Sequence, residues 1–118
     1  MNILIIDDNE IVCKAISFSL LSEGYSVALA LTSEKALEHI NNNLVFDVIL
    51  CDIMLPGLTG PSFLLKIQQY IKIHHTRIFV MSAIKDGEQL LKKLEIPFER
   101  FIEKPFEADT FIQYLQNT

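Results

Sequence analysis

The chain has 118 residues and a mass of 13.5 kDa, room for one domain built around one core, 1–118. Hydrophobic residues make up 50% and charged residues 21%, with only four Gly and four Pro, which excludes a disordered, collagen-like or linker-rich chain. A net charge of −5 and a pI near 5.1 argue against direct nucleic-acid binding, which needs clustered Lys and Arg to neutralise phosphates.

Ile3-Leu4-Ile5-Ile6 is apolar at successive positions, as expected of a strand buried on both faces of a parallel sheet. It gives way to Asp7-Asp8 too early for a signal peptide, and no run reaches the ~18 apolar residues that span a bilayer. Ile11, Val12, Ala15, Ile16, Ser19 and Leu20 predict the stripe of a first helix. Val27 to Ala30 predicts a second, weaker strand, and Ala36, Leu37 and Ile40 a helix after Ser33 that ends in the polar turn Asn41-Asn42-Asn43. Val48 to Cys51 predicts the third strand. Gly60-Pro61 then opens a third helix striped by Phe63, Leu64, Ile67, Tyr70 and Ile71, with proline in its first turn. Ile78 to Met81 is the fourth strand, and Leu90, Leu91 and Leu94 mark a helix after Asp86-Gly87. Phe101-Ile102 is a short fifth strand, and Phe111, Ile112 and Leu115 mark the last helix. The order βαβαβαβαβα implies right-handed crossovers and a three-layer α/β sandwich.

Several features carry no chemistry of their own. Cys13 and Cys51 lie far apart without a CxxC, which fits two reduced, buried thiols in a cytoplasmic protein. His39 and His74-His75 lack partners at metal-ligand spacing, and Lys92-Lys93 reads as a solvated helix face. Gly24, Gly57, Gly60 and Gly87 form neither a Walker loop nor GxGxxG.

In open α/β sheets the functional residues gather beyond the carboxyl ends of the strands. Strand one delivers Asp7 and Asp8, strand three Asp52, strand four Ser82, and strand five Lys104 followed by Pro105. An acidic residue at a strand end is often only the cap of the next helix. Three carboxylates on one edge are a different matter, because two unit charges ~4 Å apart repel by about 4 kcal/mol at an effective dielectric near 20. A hard divalent cation offsets that repulsion, and magnesium prefers carboxylate oxygens while accepting phosphate oxygens. Carboxylates, magnesium, a lysine and a hydroxyl form a kit for phosphoryl transfer, where catalysis is mostly positioning and charge neutralisation.

The sequence resembles the receiver domain of two-component response regulators, chemotaxis-regulator-like, over its whole length. The resemblance rests on ILIIDD at Ile3 to Asp8, VILCDIMLPGLTG at Val48 to Gly60, VMSA at Val80 to Ala83 and FIEKPF at Phe101 to Phe106. Separations of 44 residues from Asp8 to Asp52, 30 from Asp52 to Ser82 and 22 from Ser82 to Lys104 suit the family too. It implies a flavodoxin-like fold with the strand order 2-1-3-4-5. It further implies that Asp52 is the phosphoacceptor, taking a phosphoryl group from a phosphohistidine on a sensor histidine kinase or histidine phosphotransfer protein. By the same resemblance Asp8, Asp52 and the Met54 backbone carbonyl hold Mg2+ directly and Asp7 acts through a water. Lys104 pairs with the phosphoryl oxygens, the Ser82 hydroxyl and the Ala83 backbone N–H bind it, and Phe101 is the aromatic that turns inward as the hydroxyl residue moves. Lys104-Pro105 matches a bond the family holds in cis, and the output face spans the fourth helix, fifth strand and fifth helix, binding an effector protein or a second copy.

The chain departs from the family at Pro97-Phe98, where Gly-Ala is usual, at Arg77 in place of a proline, and at Thr59 in place of an acidic residue. Phe98 is expected either to plug the core or to anchor a partner, in a face that also carries Lys85, Lys92, Lys93, Arg100, Glu99, Glu107 and Asp109. No effector segment is expected after the last helix. Two other classes fit less well. An aspartyl-phosphate phosphatase needs a second carboxylate two residues after the first, where this chain has Met54. A phosphorylation-independent binding module would not need Asp52.

Overall fold

The computed structural model describes residues 1–42, 44–55, 57–84 and 86–117. Asn43 of the expected polar turn and Lys85 of the expected output face lie outside the described residues. In chain order the elements are β1 (Asn2–Ile6), α1 (Glu10–Ser22), β2 (Ser26–Ala30), α2 (Ser33–Asn41), β3 (Val48–Asp52), α3 (Gly60–Lys66), α4 (Gln68–His74), β4 (Arg77–Ser82), α5 (Gly87–Lys93), β5 (Arg100–Glu103) and α6 (Ala108–Gln116). The strands pair in parallel in the order β2-β1-β3-β4-β5, the flavodoxin-like order.

Successive strand residues point to opposite faces, so the apolar runs divide into two cores. Ile3, Ile5, Val48, Leu50, Phe79 and Met81 meet Cys13, Ile16 and Leu20 of α1 and Phe111, Ile112 and Leu115 of α6. Leu4, Ile6, Ile49, Cys51, Ile78 and Val80 meet Ala36, Phe63, Leu64 and Leu91 on the other side. This is why the central strands are apolar at every position, each fully buried Ile or Leu being worth roughly 1.5–3 kcal/mol.

The structure differs from the periodicity at two helices. In α1 the buried residues are Cys13, Ile16, Ser17 and Leu20, while Ile11 is 81% and Phe18 75% exposed. The stripe is rotated because Cys13 and Ser17 are small enough to lie against the sheet, and the Cys13 thiol donates to the Asp7 carbonyl. The single third helix is interrupted at Ile67, with α4 beginning at Gln68. There the Gln68 side-chain amide donates to the Leu64 carbonyl at 2.9 Å, taking the acceptor that the Gln68 backbone N–H would use in a regular helix. Phe63, Leu64 and Ile67 are nonetheless buried and Tyr70 and Ile71 half-buried, so the predicted face holds across the break.

Three of the family departures have structural roles. Phe98 packs against the core on the α3 and α5 side, as the plug reading expects. Arg77 closes the bottom of the sheet, donating through Nε to Glu99 Oε1 at 2.8 Å, through Nη2 to Oε2 at 2.5 Å, and through Nη1 to the Leu115 carbonyl at 3.2 Å. Thr59 caps α3, its Oγ1 accepting from the Ser62 N–H. Both cysteines are free and buried. No helix among the described residues is long and apolar enough to cross a membrane.

Candidate functional site

Parallel pairing brings the strand ends to one edge. Ile6 pairs with Cys51, Asp52 with Met81 and Ser82 with Glu103, and backbone bonds extend the ladder past the strands. The Asp7 N–H donates to the Ala30 carbonyl, Ile53 N–H to the Met81 carbonyl and Lys104 N–H to the Ser82 carbonyl, at 3.1, 3.1 and 2.9 Å. The backbones of Asp7, Asp52 and Lys104 are thereby fixed by the sheet rather than by loops.

Asp7, Asp8 and Asp52 converge so that one ligand oxygen from each lies within 4.8 Å of the others. Asp7 is fully buried, Asp52 nearly so, and Asp8 exposed at the rim. The Lys104 Nζ donates to Asp7 Oδ2 and to Asp52 Oδ2, each at 2.6 Å. The other oxygens are held too: Asp7 Oδ1 accepts from the Asn9 N–H at 3.0 Å and Asp52 Oδ1 from the Met54 N–H at 2.9 Å. Ser82 is fully buried, and its Oγ accepts from the Ile84 N–H at 2.9 Å, which leaves the hydroxyl hydrogen for another acceptor. Ala83 follows on the exposed turn, and Lys104-Pro105 is cis. Phe101 lies half-buried on β5, against the core that contains Ile53 and Leu91.

One ammonium faces three carboxylates in a largely dehydrated pocket, and the proton affinities follow. Burial pushes the Asp52 carboxyl above its ordinary value, against the Lys104 and Met54 hydrogen bonds, and the Asp7 charge pushes the same way. Burial alone would favour neutral Lys104, but its bonds to Asp52 and Asp7 outweigh this and raise its pKa. Burial likewise lifts the Cys13 thiol to about 11 and raises Cys51, so neither is a thiolate at neutral pH. This acidic pocket could hold a metal. Its donor set, oxygen-only and in excess of the nearby positive charge, fits a hard cation such as Mg2+.

The predicted residues Asp7, Asp8, Asp52, Lys104, Ser82, Ala83 and Met54 thus meet at one edge, with Phe101 one strand away from Asp52 across β4. The residues that hold them were not foreseen. Asn9 and Ile84 fix Asp7 and Ser82 through backbone N–H groups, which any residue type could supply. Gly60 donates its N–H to the Ile53 carbonyl at 2.9 Å, and a Cβ there would lie 2.3 Å from the Asp52 carbonyl oxygen, so only glycine lets α3 start against β3. Its sequence signals are the Gly-Pro pair and its place at the end of the Val48 to Gly60 motif. His39 is structural, its Nε2 hydrogen-bonded to the Leu29 carbonyl, and His74 packs on Tyr70. A cavity of about 380 Å³ opens beside Lys104, between α1 residues such as Val12 and Ala15 and the segment from Pro105 to Ala108.

Comparison with known proteins places this geometry. The family described as the response regulator receiver domain matches residues 3–116. The transcriptional regulatory protein DltR of Streptococcus agalactiae is 33% identical over 112 residues, covering 95% of this chain and 49% of that protein. A cyclic di-GMP phosphodiesterase of Thermotoga maritima is 36% identical over 109 residues, covering 92% of this chain and 28% of that protein. The chain therefore spans half or less of the length of these relatives. Among solved structures, the chemotaxis response regulator CheY4 of Vibrio cholerae superposes with a TM-score of 0.83 at 26% identity, over 98% of this chain and 95% of that one.

Proposed function

The chain belongs to the response regulator receiver family, and from that premise we propose that it accepts a phosphoryl group on Asp52 from a phosphohistidine and relays the event to a protein-binding face. One observation carries the reading: a single lysine, Lys104, bonds both Asp7 and Asp52 at 2.6 Å in a pocket that also holds Asp8. A carboxylate held this way is an oriented nucleophile with an acceptor for new negative charge already in place.

An Asp52 oxygen attacks phosphorus, the P–N bond breaks, and its electron pair returns to the imidazole of the donor. Lys104 follows the charge from the carboxylate onto the phosphoryl oxygens. Ser82 donates its hydroxyl hydrogen while its oxygen keeps the Ile84 N–H, and the Ala83 N–H is the second donor. Asp8, Asp52 and the Met54 carbonyl would hold Mg2+ directly, with Asp7 acting through water, and the ion would supply neutralisation of carboxylate and phosphoryl charge. The carboxylate triad, two of its members buried and the whole short of positive charge, is what calls for such an ion. The donor is a sensor histidine kinase or histidine phosphotransfer protein. Phosphorylation acts through Ser82 and Phe101 on the α5–β5–α6 face, which binds an effector or a second copy, in the cytoplasm. The domain is a signalling phosphoacceptor that promotes its own phosphorylation and dephosphorylation, not an enzyme acting on a separate substrate.

Incubation with Mg2+ and acetyl phosphate or phosphoramidate should raise the intact mass by one phosphoryl group, and Asp52→Ala should abolish the adduct. Full labelling of Asp52→Ala would refute the assignment.

A further inference from the structure

Gly87 opens α5 and is buried. A Cβ built there would lie 2.8 Å from Ile53 Cδ1 and 3.1 Å from both Cε2 and Cζ of Phe101. Its backbone gives no other reason for glycine: the positive-φ glycines are Gly24 and Gly57, so alanine could adopt the conformation at 87 and would be the better helix former. What the missing side chain provides is space. The Phe101 ring and the side chain of Ile53, the residue directly after Asp52, both border that space at the start of α5. Ile53 is itself held, its N–H donating to the Met81 carbonyl and its carbonyl accepting from the Gly60 N–H. Its Cδ1 is the free end of the side chain and can turn away from a new atom at 87, whereas the planar Phe101 ring presents two atoms at 3.1 Å.

We infer that Gly87 is a positioning residue for Phe101: the empty side-chain position lets the ring pack against the start of α5 beside Ile53, and so sets the resting balance between a ring lodged there and a ring displaced from it. This deepens the receiver reading and rests on it for its consequence in signalling. It adds a contact from the residue after the phosphoacceptor to the α5 face that does not pass through Ser82. A methyl group at 87 meets Ile53 at one side and the ring at the other. The end of the Ile53 side chain turns, and the ring swings away or the first turn of α5 lifts, which changes the packing of that face.

The test compares wild type, Gly87→Ala, Phe101→Ala and the double variant by NMR, first without any phosphoryl mimic. Gly87→Ala should shift the Phe101 ring signals and the Ile53 methyl signals, with amide shifts along α5 and β5. In the Phe101→Ala background the same substitution should leave the α5 and β5 amides beyond the immediate neighbours of residue 87 unmoved, because the ring that transmits the clash is gone. Phe101→Ala alone should speed amide exchange in the first turn of α5 roughly tenfold relative to α6, the change expected for one lost ring contact of about 1.4 kcal/mol. This measurement stands even if Gly87→Ala fails to fold. Phe101 and Ile53 signals unmoved in a folded Gly87→Ala, equal α5 shifts in both backgrounds, or unchanged α5 exchange in Phe101→Ala would each overturn the inference. Beryllofluoride with Mg2+ then separates the two claims: a wild-type spectrum that does not respond refutes the receiver reading, while the Gly87–Phe101 contact is decided by the resting-state comparison.

Discussion

Replacing Asp52 by asparagine removes one charge from the pocket and little volume, so its effect on stability reports the balance of charges there. At an effective dielectric near 20, a like-charge pair at the 4.8 Å that bounds these separations costs about 3.5 kcal/mol, and Asp52 has two such neighbours, buried Asp7 and the exposed, more screened Asp8. The Lys104 contact at 2.6 Å returns about 6 kcal/mol on the same basis. The charge terms nearly cancel. What remains is the dehydration of a buried carboxylate, which a neutral amide incurs to a smaller extent, while Lys104 keeps its bond to Asp7. Without magnesium, Asp52→Asn should therefore be more stable than wild type by on the order of 1 kcal/mol, about 4 °C in melting temperature. The sign with pH follows from the raised pKa of Asp52, caused first by burial and then by Asp7. A carboxyl that binds its proton more tightly when folded contributes stability that is fully present below its unfolded value, ~3.9, and lost as pH rises through the higher folded value. The advantage of Asp52→Asn should thus be small in acid and grow towards neutral pH. Millimolar Mg2+ should raise the wild-type melting temperature more than that of the variant and narrow the gap. Paired thermal melts followed by circular dichroism decide it. A variant that melts below wild type at neutral pH without Mg2+, or a gap that does not widen from acid to neutral, would refute the reasoning.

Arg77→Ala should destabilise the domain by about 1–2 kcal/mol in denaturant titrations, since it removes a bidentate ion pair and a bond to the end of α6. The Arg77 hydrogen bonds hold the Glu99 carboxyl below its usual range, so their contribution is present above the unfolded value of ~4.3 and lost as pH falls through the folded one. The gap between wild type and Arg77→Ala should accordingly shrink in acid, and a constant gap would show the pair to be electrostatically inert. Met54 and Ile84, two residues beyond Asp52 and Ser82, are 58% and 42% exposed at the mouth of the site. Two apolar side chains there should keep attacking water off an acyl phosphate, so Met54→Asn should shorten its lifetime in acid-quench decay; an equal or longer lifetime counts against that role.

The strands were legible because β1, β3 and β4 are covered on both faces and so must be apolar at every position, a pattern no solvated strand can share. The site was legible for a related reason, since Asp7-Asp8 and Asp52 directly follow such runs and Lys104 follows the short β5. What sequence could not show depends on partners distant in the chain. Arg77 and Glu99 read as isolated surface charges until β4 and β5 are paired. The rotation of α1 follows from the small Cys13 and Ser17 fitting against the sheet, which outweighs the larger apolar Ile11. The break at Ile67 comes from a side-chain bond by Gln68, a residue with good helix propensity that gives no warning of it. Gly60 and Gly87 look alike in sequence, and only their neighbours distinguish a backbone seat from a ring seat.

Gly60 leaves the two flanks of the acceptor strand unequal in stiffness. On the α3 side the backbone of Asp52 meets the backbone of Gly60 with no side chain between them, a contact that cannot be compressed or rotated away. Towards α5, beyond the pairing with β4, the helix meets the acceptor strand through side chains, Ile53 and the half-buried Phe101 ring beside Gly87. A force generated at Asp52 meets a wall in one direction and a spring in the other, so displacement should run towards β4, β5 and α5 while α3 stays registered to β3. Variation in the rigid flank would be read by selection as loss of the domain, whereas variation in the compliant flank would retune its response, leaving sequence change free to adjust sensitivity without endangering the fold.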